Sequence, residues 1–156
     1  MPHSLFHIPK TMITRSIHSP RRKFNWEEYD ECCKRSSIKI PFNIIKNIYK
    51  LTNLPYPVRS TCSTYHYIKY SINNKYKITK HNDACKCTII IYLNKNESIK
   101  ENFYIENNNV GNNLWSQNEN TYGCLVMWSE DDNEGPEHYG DIIGNGDREV
   151  LCLFLG

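Results

Sequence analysis

His81-Asn82-Asp83 sets an imidazole and a carboxylate two positions apart where an alternating stretch of chain ends. In extended backbone, residues i and i+2 project to the same side, so the two groups can converge on one cation. A second imidazole from a distant strand would complete a three-ligand face. Of the six histidines, His3, His7 and His18 lie near the N-terminus and His66 sits within an alternating strand, which leaves His138 as the third candidate. Two imidazoles and one carboxylate with open positions opposite are the pattern of non-haem Fe(II) oxygenases, because the metal must hold both a cosubstrate and O2. Ten residues beyond His138 stands Arg148, at the start of the stretch Glu149–Leu155. A chain reversal through Gly144-Asn145-Gly146 would return it toward His138, where a fixed guanidinium suits bidentate capture of a carboxylate.

The elements that must position these residues are mostly strands. Thr64–Ile72 alternates, Asn73-Asn74 is a turn signal, and Lys75–Lys80 reads as a second strand. Cys87–Leu93 is a continuous apolar run rich in β-branched residues, expected to be buried on both faces. Asn102–Glu106, Tyr122–Trp128, His138–Ile143 and Glu149–Leu155 follow, with a polar loop over Asn107–Asn113. Before them, Asn25 is placed to cap a helix through Trp26–Glu31, and a second helix runs from Pro41 to Leu51 with apolar residues at three- and four-residue steps. Short strands with evenly spaced turns predict a mainly β fold, a double-stranded β-helix (jelly-roll) barrel with short N-terminal supporting helices.

Length and composition are those of one globular domain: 156 residues, 39% hydrophobic and 23% charged, with a net charge of +2. Heavy use of Asn, Ile, Lys and Tyr fits codon bias from an AT-rich genome. Residues 1–25 form a basic leader with no acid before Glu27, expected to be disordered, although its composition also fits an organelle-targeting segment. The single domain is then 26–156, with helical support over 26–54 and the jelly-roll core over 60–156. An odd count of seven Cys and no signal-peptide core predict reduced thiols and an intracellular, cytoplasmic location. No apolar run approaches the roughly 20 residues of a membrane span, and the near-balanced charge calls for neither nucleic acid nor membrane as partner. The Cys85-x-Cys87 pair with Cys32-Cys33 lacks the spacing of a zinc site. Tyr65, Tyr67 and Tyr70 lack the basic stripe of a base-stacking platform.

Over residues 60–156 the chain resembles the Fe(II)/2-oxoglutarate-dependent dioxygenases, in their prolyl hydroxylase-like branch. The resemblance rests on His81-x-Asp83, the strand Cys87–Lys95 with its Tyr-Leu-Asn end, Gly123–Ser129 with its Trp-Ser end, His138 and Arg148. It implies Fe(II) on His81, Asp83 and His138, with 2-oxoglutarate as cosubstrate and ascorbate as accessory reductant. Arg148 and Tyr92 would hold its distal carboxylate, with Tyr70 beside them. The implied reaction is hydroxylation of a side chain in a protein or peptide, proline first, with decarboxylation of 2-oxoglutarate to succinate and CO2. Glu101-Asn102-Phe103-Tyr104 departs from the Gly-Gly pair the family carries near this point, and no second Arg follows Arg148 as in the DNA-repair branch. Three alternatives stay open: an inactive jelly-roll binding module, a dioxygenase acting on a small molecule, and a cupin-like metal barrel using another carboxylate.

Overall fold

The computed structural model describes residues 2–18, 23–54, 58–116, 118–130 and 134–156. Among the described residues the chain forms nine strands in one sheet, and the longer ones alternate in burial over part of their length, which gives the sheet an inner and an outer face. β1 (His3–Pro9), β8 (Thr121–Trp128), β5 (Cys87–Tyr92), β9 (His138–Leu155), β4 (Thr64–His81), β3 (Cys33–Ser37) and β2 (Glu27–Asp30) are hydrogen-bonded in that order, and β6 (Ile99–Ile105) pairs with both β9 and the two-residue β7 (Asn108–Asn109). All pairings are antiparallel. This is a jelly-roll barrel.

β4 and β9 are each 18 residues long and run beside one another from Thr64↔Phe154 to His81↔His138. Two expected reversals, at Asn73-Asn74 and Gly144-Asn145-Gly146, do not occur. They lie opposite each other in the ladder (Asn73↔Asn145, Asn74↔Gly144), so both strands bend there and continue. The bend uses left-handed backbone, with φ of 69° at Asn74 and 124° at Gly144. One half of each long strand thus joins the larger sheet, β4 beside β3 and β9 beside β5, and the other half of β9 joins β6.

All six residues of β5 are buried because each face has its own cover. Ile89 and Ile91 pack with Val126, Leu151 and Leu153 beneath α2 (Phe42–Lys50), whose Ile45 and Ile48 are fully buried. Ile90 and Tyr92 face the barrel interior with Phe103, Ile105, Leu125, Met127 and Val150.

Two N-terminal expectations are corrected. Residues 3–9, expected within a disordered leader, form β1 along the edge of β8, and α1 (Thr14–His18) follows. Ile8, Ile13 and Ile17 are 0–2% exposed and anchor this segment to the outer core, an apolar contribution the basic charge count obscures. Trp26–Glu31 is not helical; β2 and β3 form a hairpin that extends the sheet beyond β4. β2 is exposed throughout and offers no apolar stripe to seat a helix, while Asp30 holds the turn by accepting from the Cys32 amide at 2.8 Å and the Tyr76 hydroxyl at 2.7 Å. All seven cysteines are free, and among the described residues no helix is long and apolar enough to cross a membrane.

Candidate metal centre

At one end of the barrel, the last residue of β4 and the first of β9 bring two histidines side by side. His81 and His138 are register partners, reached after an irregularity in the ladder between Ile78 and His81. Asp83 follows β4 by two residues and turns its carboxylate between the two rings. His81 Nε2 lies 3.4 Å from Asp83 Oδ1, and His138 Nε2 lies 3.6 Å from Asp83 Oδ2. One donor atom from each of the three residues falls within 4.8 Å of the others. Cis ligands on a cation with bonds of about 2.1 Å stand about 3 Å apart, so a small inward adjustment would seat an ion.

The donor chemistry fits a metal. His81 Nδ1 donates to the Thr79 carbonyl at 2.7 Å, and His138 Nδ1 donates to the Pro136 carbonyl at 2.9 Å. A carbonyl only accepts, so in its neutral form each ring carries its single proton on Nδ1 and points the Nε2 lone pair at the shared space. The Thr88 hydroxyl donates to Asp83 Oδ2 at 2.8 Å and fixes the carboxylate, with the Cys85 thiol 3.2 Å behind it. Phe103 stacks on His138 at 5.7 Å between ring centres. Thr88 and Phe103 were not anticipated; both sit on inward phases of their strands next to a ligand, a signal visible only once the strands are aligned.

Electrostatics distinguish the three groups. Hydrogen bonding to Asp83 raises His81 above the ordinary imidazole value despite some opposing burial. Burial alone would push Asp83 up, but the hydrogen bond from His81, the charge of His138 and the Thr88 hydroxyl outweigh it and hold the carboxylate below its usual range. Burial pushes His138 down, against the pull of Asp83, and favours its neutral ligand form. His138 is 4% exposed and Asp83 13%, whereas His81 is 45% exposed, so the cluster opens to solvent on the His81 side.

Arg148, Tyr70 and Tyr92 form a second group inside the barrel. The guanidinium carbon lies 4.7 Å from the centre of the Tyr70 ring and 5.4 Å from that of Tyr92. The fork expected to face a cosubstrate faces Glu101 instead: Arg148 Nε donates to Oε1 at 2.6 Å, and a terminal nitrogen donates to Oε2 at 2.8 Å. Burial would lower the Arg148 pKa, but the Glu101 carboxylate overrides it and keeps the guanidinium charged. Glu101 belongs to no ligand motif in the sequence. Its mark is a charge on the inward phase of β6, in line with buried Phe103 and Ile105.

No family model matches the sequence, and no curated protein matches it. Among solved structures, the chain is similar to KdgF from a Halomonas species, with a TM-score of 0.50 and 11% identity over 84% of each chain. It is also similar to a cupin superfamily protein from Desulfitobacterium hafniense, with a TM-score of 0.46 and 9% identity over 83% of this chain and 82% of that one. At such identities the likeness to KdgF is one of fold, and it agrees with the jelly roll traced above.

Proposed function

We propose that this chain is a mononuclear non-haem iron oxygenase built on a jelly-roll barrel. One observation carries the reading: two imidazoles, each with its Nδ1 proton committed to a backbone carbonyl, direct Nε2 at the two oxygens of a single carboxylate. Two imidazoles and one carboxylate on one side of an ion leave the other side for ligands, which suits Fe(II) and oxygen chemistry. Fe(II) would supply the activation of O2. His81, Asp83 and His138 would hold it, Thr88 would orient Asp83, and the exposed flank of His81 would admit the reacting group.

The finer reading is 2-oxoglutarate-dependent hydroxylation of a protein or peptide side chain, with proline first and ascorbate as reductant. The order His81, Asp83, His138, Arg148 supports it, as do the two tyrosines against Arg148. The cosubstrate's distal carboxylate does not fit on the Nε edge of Arg148, because both donors of that edge are engaged by Glu101. We therefore carry forward the oxygenase without 2-oxoglutarate in that position.

The test is anaerobic loading with Fe(II), metal analysis, and then oxygen uptake on admitting air. Stoichiometric iron and iron-dependent uptake are expected, both lost in Asp83→Ala and His138→Ala. A folded native chain that takes up no stoichiometric iron overturns the reading.

A further inference from the structure

The Arg148–Glu101 pair is sealed inside the barrel, with side chains 3% and 0% exposed. An arginine buried so completely needs a carboxylate, and this one has ring walls from Tyr70 and Tyr92 and two parallel hydrogen bonds. Among the described residues the buried Tyr92 hydroxyl has no hydrogen-bond partner. These are the fittings of a receptor for a small carboxylate, and the chain fills it with its own side chain.

Glu101 is held rigidly in that role. Its backbone pairs with Ile142 in β9, and Gly111 presses on its carbonyl so closely that a Cβ at 111 would collide with the oxygen. Asn109 locks the loop by accepting from the Gly111 amide at 3.0 Å and the Phe103 amide at 3.2 Å. A free carboxylate would therefore have to displace a tethered, pre-placed one and leave Glu101 buried without a partner. That handicap is about two to three orders of magnitude in affinity.

We infer that Glu101 is a built-in carboxylate that closes the carboxylate receptor of the barrel, and so determines which small molecules can serve the metal centre. Dicarboxylates such as 2-oxoglutarate gain nothing from their distal carboxylate, and ligands of the centre are recognised at the open His81 side instead. This deepens the oxygenase reading and rests on it for the link to the metal. Occupancy of Arg148 is also read in metal-free protein, so either idea can fail alone.

The test compares 2-oxoglutarate with pyruvate, a keto acid lacking the distal carboxylate, by calorimetry on the native chain loaded with Ni(II). Equal affinities, or no binding of either, are expected. Tighter binding of 2-oxoglutarate by about tenfold or more overturns the assignment, since only a site for the distal carboxylate separates the two. The second arm titrates acetate and succinate into metal-free Glu101→Ala and metal-free native protein. Saturable binding in the variant, accompanied by a rise in its melting temperature and absent from the native chain, is expected. A folded variant that binds neither acid also overturns the assignment. Should the variant not fold without added acetate, recovery on refolding with acetate supports it, failure to recover counts against it, and the native keto-acid comparison decides.

Discussion

His138 stands opposite His81 across the β4–β9 ladder, and the two rings meet edge to face with centroids 4.2 Å apart. This contact depends on the irregularity between Ile78 and His81, which resets the register just before the ligand. A one-residue slip in a strand turns every later side chain to the other face. Deleting Lys80 should therefore swing His81 away from His138 and abolish metal binding, while circular dichroism still reports the β fold. Retained stoichiometric metal in a folded deletion variant would show that His81 is dispensable.

Thr88 makes the next case, because it touches the ligand and leaves the ion alone. Thr88→Val keeps the shape and removes the hydroxyl that holds Asp83 Oδ2. Its metal dissociation constant should rise by about tenfold or more, within the range seen for groups that orient ligands. Competition with a coloured chelator measures the change, and the melting temperature checks that the fold is intact.

Removing one member of the Arg148–Glu101 pair leaves the other charge buried. Arg148→Met should cost about 3–5 kcal/mol in urea unfolding. The double variant Glu101→Leu with Arg148→Met should recover most of that loss, since neither charge then needs a partner. Additive losses in the double variant would mean that the pair is not coupled as its 2.6 Å and 2.8 Å contacts imply.

Acid should weaken the metal site through His81. Its pKa is raised by Asp83, so below that raised value a proton occupies Nε2, the atom the ion needs. His138 is pushed the other way by burial and stays neutral to lower pH. Apparent affinity should hold above the His81 titration and fall by about tenfold per pH unit below it, beginning on the alkaline side of about 6.5. Dissociation constants for Co(II) across the range from about pH 5 to 8 test this. A flat profile would indicate that His81 is not a ligand.

Much of this architecture is legible in the chain because it is local. β5 announces itself as an unbroken apolar run, and α2 as a stripe at three- and four-residue spacing. The adjacency of His81 and Asp83 needs only the geometry of extended backbone. What stayed hidden depends on distant partners. Glu27–Asp30 carries acids suited to the start of a helix, yet its structure is set by a hairpin docked on a strand more than thirty residues away. Asn73-Asn74 and Gly144-Asn145-Gly146 each read as a reversal, and only their opposition in the ladder turns both into a bend. Glu101 and Arg148 are each an anomaly on an apolar phase, and each explains the other only after β6 and β9 are paired.

That bend has a consequence for how the molecule comes into being. β9 is bonded to β4, β5 and β6 at once, and two of the three metal ligands lie on the β4–β9 ladder itself. Until β9 has emerged from the ribosome, β4 lacks its main neighbour and the interior apolar faces of β5 and β8 lie open. Assembly is thus a late, long-range event with a high loop-closure cost, of the kind that makes all-β chains slow to fold and dependent on protection while they wait. The nascent chain should be a strong client of holding chaperones, released only when β9 docks.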